Sequence, residues 1–227
     1  MKATKLISLV MIFIMALSFD AIAQENATKK EYKTIQKHEK TLKKSLKKRT
    51  IKESRKEAKR LKKEGYVTPA GKLPLEKQLE DAWIKQYEVD AEGFPIYYVA
   101  TQKATSGSYS AAAMQANSLA KMDLAGQIQT KVSQIVDARI SNSELGQNEA
   151  ATVTDVVSAS KSVISATLGR TLPLVEIYRT LPNNNVEVMV MIGYSSEVAT
   201  KVALQAIRDD LAKKSAELAK KLDNIVE

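Results

Sequence analysis

The sequence predicts an α+β fold: a small antiparallel three-stranded sheet in β-α-α-β-β-α order, packed on a long alanine-rich helix, with long helices at both termini. Three observations predict it. Val186, Val188, Val190 and Ile192 alternate with Glu187, Met189, Met191 and Gly193, the two-residue period of a strand. Residues 108–139 place small and apolar side chains three and four apart, the period of a helix. Ahead of that helix, Ile96-Tyr97-Tyr98-Val99-Ala100 supplies a further β-like run.

Taken in order, the chain reads as five segments: a signal peptide (1–23), a basic helical extension (24–65), a linker with a short helix (66–95), the α+β core (96–194) and a C-terminal helix (195–227). Lys2 and Lys5 precede an apolar run over 6–19. This run suits a signal segment and is short for a membrane span. Ala21-Ile22-Ala23 gives the small-x-small pattern of a cleavage site, so the expected mature chain starts at Gln24 and is exported to the periplasm or the cell surface. There is no cysteine, which excludes disulfides and lipid attachment through a thiol, so stability must come from burial.

The net charge of +9 is unevenly distributed: residues 29–64 hold 17 Lys and Arg against 5 Asp and Glu, whereas the rest of the chain is slightly acidic. That stretch is rich in helix formers, lacks internal Gly and Pro, and ends at Gly65, a helix C-cap residue. Its apolar stripe is thin, and three readings stand. In the first, Lys43, Lys44, Lys47, Lys48, Arg49, Arg55, Lys56, Lys59 and Arg60 contact an anionic partner: an envelope surface or an envelope protein, with nucleic acid not expected. In the second, the helix pairs with the C-terminal helix, joining Leu42 and Leu46 to Leu218 and Leu222. In the third, it is a solvated spacer. His38 has no cysteine or carboxylate cluster beside it, so neither a metal nor a cofactor is expected.

Residues 66–72, with Pro69 and Gly71, read as a linker; Leu75, Leu79, Trp83 and Tyr87 then recur every four residues, a short helix laying Trp83 on the domain. The central helix is expected to start at Ser108 or Ser110 and to bury Ala113, Ala116, Ala120, Leu124, Ile128, Val132 and Ile135. A second helix carries Val153, Val156, Val157, Ile164 and Leu168 up to Gly169. The strand 172–180 and the valine strand form a hairpin through Leu181-Pro182-Asn183-Asn184-Asn185. Pro173 is confined to a strand start or an edge, and the resulting sheet has one buried face. After Ser195 or Ser196, Leu204, Leu211, Leu218 and Ile225 repeat every seven residues, but Lys214 and Lys221 interrupt the second seam. The last helix is therefore expected to dock at its start and project into solvent at its end.

The segments LAKMDLAGQIQTKV and GRTLPLVEIYRTLPNNNVEVMVMIGYS, in the order strand, Ala-rich helix, helix and hairpin, resemble the LPP-twenty-like bacterial envelope lipoproteins. They also resemble the related N-terminal domain of a flagellar outer-membrane ring protein. With GKLPLEKQLEDAW, the chain is further similar to secreted proteins of Bacteroidetes type. The resemblance spans about 65–226 and implies a compact α+β envelope domain without known catalysis. It departs from the lipoproteins in lacking the acylated cysteine, so their anchoring does not carry over. An enzymatic alternative, a hydrolase, has only Asp123, Asp137, Asp155 and Glu176 to offer, scattered singly, with no G-x-S-x-G, phosphate loop or H-E-x-x-H. The expected function is a non-catalytic envelope protein for binding or assembly, with a helix-mediated oligomeric scaffold as the alternative.

Overall fold

The structure, a computed structural model, describes residues 48–90, 92–140 and 146–226. The chain divides into two compact units, 1–49 and 50–227. Of the first, only Lys48 and Arg49 are described, both helical and exposed. The expected signal segment and Leu42, Leu46, His38, Lys43, Lys44 and Lys47 lie outside the described residues.

In the second unit a helix ends at residue 63 (α1, here 50–63). It is followed by α2 (Leu75–Gln86), β1 (Tyr97–Ser106), α3 (Tyr109–Ile140), α4 (Gln147–Ala159), α5 (Lys161–Thr167), β2 (Leu172–Thr180), β3 (Val186–Ser195), α6 (Ser196–Lys214) and α7 (Ala216–Val226). The fold is α+β, with an antiparallel sheet in the order β1-β3-β2. The hairpin closes through Leu181 and Asn185, and Asn184 adopts φ 62°, a left-handed conformation that asparagine tolerates well. Pro173 sits in the edge strand β2. The register slips between Pro173 and Val175, where a residue that cannot donate a ladder bond does least harm.

The sheet is buried on both faces, not one. Its central strand β3 is buried at every position from Val188 to Gly193. Val188, Val190 and Ile192, with Ala100 and Ala104 of β1, face a core closed by α3 to α7. Met189 and Met191, with Leu174, Val175 and Ile177 of β2, face a second core closed by Ala58, Leu61 and Tyr66 and by Leu75, Leu79 and Ala82 of α2, with Trp83 packed against it. The alternation of valine with methionine was thus apolar on both sides, the pattern of a strand covered twice. The basic stretch is therefore not wholly outside the core. From residue 50 on it seats a helix on the sheet.

That seat is fixed by the end of α1. Tyr66 N–H donates to the Leu61 carbonyl and Gly65 N–H to the Lys62 carbonyl, with Gly65 at φ 87°. This is a Schellman cap, and the apolar pair it brings together, Leu61 and Tyr66, is buried. The expected linker thus begins with an anchor, since Tyr66 is only 1% exposed.

Ser108 caps α3, its Oγ accepting the Ala111 N–H at 3.3 Å. The buried residues are Ala112, Ala116, Ala120, Leu124, Ala125, Ile128, Val132 and Val136. The stripe runs one residue off the expected face at both ends, taking Ala112 for Ala113 and Val136 for Ile135. A strict four-residue step advances about 40° around a 3.6-residue helix, so the buried line winds around α3. The reason lies in the neighbours: 32 helical residues span about 48 Å, whereas the ten of β1 span about 33 Å, so α3 outruns the sheet and meets α4, α5, α6 and α7. Gln127 donates to the Val99 carbonyl at the start of β1, whereas Gln129 donates to the Val157 carbonyl at the end of α4.

Two expected helices are each divided in two. Ser160, 3% exposed, separates α4 from α5, with its hydroxyl turned back to the Val157 carbonyl. Ser215, with φ −157° and ψ 118°, separates α6 from α7. The C-terminal helix therefore does not project into solvent. Instead α7 folds back and buries Ala219 and Leu222 in the first core, held by Arg208 to Asp223 (2.8 Å) and Lys221 to Glu149 (2.6 Å). Leu218 and Leu222 pack there, and Leu211 is fully buried, so this seam is used inside the chain.

Candidate functional site

The outer face of α1 is the candidate contact surface. Around the helix, Lys52, Arg55, Lys59 and Lys63 fall within about 80° of one another, on the side away from Ala58 and Leu61. All four are exposed and, among the described residues, form no ion pair. The other cations of the helix are paired. Lys56 reaches Glu53 at 3.0 Å, Arg60 donates to Glu57 at 2.9 Å and also pairs with Glu64, and Lys62 reaches Glu76 of α2 at 2.6 Å. Glu53, Glu57 and Glu64 lie between the basic side and the buried side, so the helix passes from free cations through exchanged ion pairs to core. Hydrogen bonding from Arg60 holds Glu57 below the usual carboxylate range.

Of the residues expected to contact an anion, Arg55 and Lys59 stand free on this face, whereas Lys56 and Arg60 lie at its margin and are spent on carboxylates. Lys48 and Arg49 are exposed, and Lys43, Lys44 and Lys47 are outside the described residues. Lys52 and Lys63 were missed. Their three-, four- and eleven-residue offsets from Arg55, Lys59 and each other carry the signal that would have found them.

A second polar cluster lies at the edge of β2. A cleft of about 140 Å³ is lined by Lys72, Leu73, Gln78, Leu174 and Glu176, among others. Glu176 accepts from the Tyr109 hydroxyl and pairs with Lys72 at 2.9 Å, while its N–H donates to the Gln78 Oε1 at 2.8 Å. Tyr178 exchanges both backbone bonds with Val67, at 2.8 and 3.0 Å. The edge is thereby closed by a side-chain amide and one residue of connecting chain, which removes a template for strand addition. On the other face Glu187 accepts from Tyr66 and from Arg179 Nε at 2.9 Å. Among the described residues, the side-chain partners of these two glutamates are tyrosine, lysine, arginine and a glutamine, with no serine, threonine or second acid bonded to either. Of the remaining hydrolase candidates, Asp123 accepts from Gln102 at 3.1 Å, and Asp137 and Asp155 are exposed. Among the described residues, no three His, Cys, Asp or Glu gather as a metal site requires, and no helix is long and apolar enough to cross a membrane.

Burial pushes both Glu176 and Glu187 upward. It is outweighed in Glu176 by Tyr109 and Lys72, in Glu187 by Tyr66 and Arg179, and each carboxyl ends below its usual range. A carboxyl depressed on folding adds stability that is complete above its unfolded pKa, about 4.3, and is lost as pH falls through the lower folded value. Thermal unfolding followed from neutral to acid pH should therefore show Tm falling below about pH 5, and the Glu176→Gln/Glu187→Gln chain should lose part of that slope. An unchanged acid limb in the double variant would remove these two groups from the account.

No protein-family model, curated protein or solved structure matches the chain.

Proposed function

We propose that the chain is a non-catalytic protein of the cell envelope, exported and without a lipid anchor, whose α+β domain serves binding or assembly and whose α1 meets an anionic partner. The observation that carries this reading is the row Lys52, Arg55, Lys59 and Lys63, exposed and without carboxylates on a helix whose opposite side is fixed in the core. A cation already paired gains little from a new anion, whereas four unpaired ones on a rigid face repel one another until an anion arrives. The exported sequence signature and the resemblance to envelope proteins support the compartment. An oligomeric scaffold built on the C-terminal leucine repeat is less well supported, because Leu211, Leu218 and Leu222 already pack within the chain.

Deleting the whole basic stretch would remove Ala58 and Leu61 from the core, so surface substitutions make the cleaner test. The chain should be retained on a heparin column, eluting earlier as salt rises, and Arg55→Gln/Lys59→Gln should elute at markedly lower salt with unaltered Tm. Equal elution of the two proteins would overturn the reading.

A further inference from the structure

We infer that the anion met by α1 is the headgroup layer of an anionic lipid surface, on which the helix lies flat without inserting. The inference rests on the function proposed above and names the partner.

Three features of the face select this partner. It is a row along one side of the helix: from Lys52 to Lys63 is about 16 Å of helix axis, and the cations return at nearly every turn. A planar array of phosphates satisfies such a row at all its points. It also has no apolar side chain, since Ala58 and Leu61 point into the core, so contact stops at the headgroups and does not reach the acyl region. Finally, it presents no aromatic ring on which bases could stack and no Asn or Gln to read base edges, the means by which proteins hold single strands or recognise sequence. Most of its cations are lysines, point charges that suit dispersed phosphates as well as close ones.

An exposed apolar turn elsewhere on the domain does not compete. The turn between α2 and β1 exposes Tyr87, Val89 and Phe94, the shape of an interfacial wedge, but it also carries Glu88, Asp90 and Glu92, which an anionic layer repels. Lys85 and Lys131 beside it already lie against the rings of Tyr97 and Phe94, at 4.5 and 5.3 Å.

The test is co-flotation of the chain from Gln24 onward, which leaves out the apolar run over 6–19, with vesicles of phosphatidylcholine alone or mixed with phosphatidylglycerol. Binding is expected only to the mixed vesicles and should fall as salt rises. Arg55→Gln/Lys59→Gln should weaken partitioning about 30-fold. Lys201→Gln, which removes an exposed lysine already paired with Glu197 on α6, should leave it unchanged. Retention on heparin without vesicle binding would overturn the lipid assignment and leave the anionic-partner reading in place. Failure to bind either would overturn both. Vesicle binding unaffected by the double substitution would place the contact elsewhere and overturn the inference as well.

Discussion

Replacing Ile128 by alanine should remove about 3–4 kcal/mol of stability, a large share of the 5–15 kcal/mol typical of a domain. Ile128 is fully buried in the winding stripe of α3, between the alanines that approach the sheet and the valines beyond it. Truncation there loses the transfer energy of three carbons and leaves a cavity that a crowded crossing cannot close. Urea denaturation measures the effect as a lower midpoint at unchanged slope. The same experiment tests the register of the helix: Val136→Ala should cost more than Ile135→Ala, although isoleucine is the larger residue, because Val136 is fully buried and Ile135 is not. The opposite order would contradict the placement of the C-terminal part of α3.

Tyr66→Ala should cost about 3–5 kcal/mol and release α1 from the sheet. The Arg179 guanidinium lies 4.7 Å from the centroid of the Tyr66 ring and the Lys103 ammonium 5.3 Å from it, and the Tyr66 hydroxyl donates to Glu187. Arg179 also donates to the Glu64 carbonyl at 3.2 Å, so one cation ties the end of the helix, the tyrosine and β3 together. Tyr66→Phe keeps the ring and the cap and removes only the hydroxyl, at about 1 kcal/mol, since Glu187 retains Arg179. Hydrogen exchange should show amides 50–63 losing protection in Tyr66→Ala ahead of those in α3. Undiminished protection of 50–63 would mean that Ala58 and Leu61 suffice to hold the helix.

Features written in local chemistry could be read from the sequence. The hairpin follows from alternation flanking an asparagine turn, the α3 boundaries from Ser108 and a break in periodicity, and the end of α1 from Gly65. What could not be read was decided at a distance. Met189 and Met191 are apolar in any reading, but only the arrival of α1 and α2 makes theirs a second buried face. The drift from Ala113 to Ala112 and from Ile135 to Val136 comes from a change of neighbours along α3. The reversal at Ser215 involves neither Gly nor Pro; it is favoured because Ala219 and Leu222 gain a core and Asp223 gains Arg208. On the candidate surface, the positive charge was evident from composition. Which cations remain free was not, because that depends on how Glu53, Glu57, Glu64 and Glu76 are shared out among side chains.

The position of β3 also governs the order in which the molecule can be completed. Every layer that flanks this strand from α1 to α5, together with both strands it pairs with, precedes it in the chain, and its partner β1 lies about ninety residues upstream. A ribosome releasing the polypeptide from its N-terminus therefore delivers the middle of the sandwich late, and until residue 195 emerges neither side has a floor to rest on. Such non-local closure is slow. A chain halted before residue 186 lacks the strand that both cores share, and so stays open.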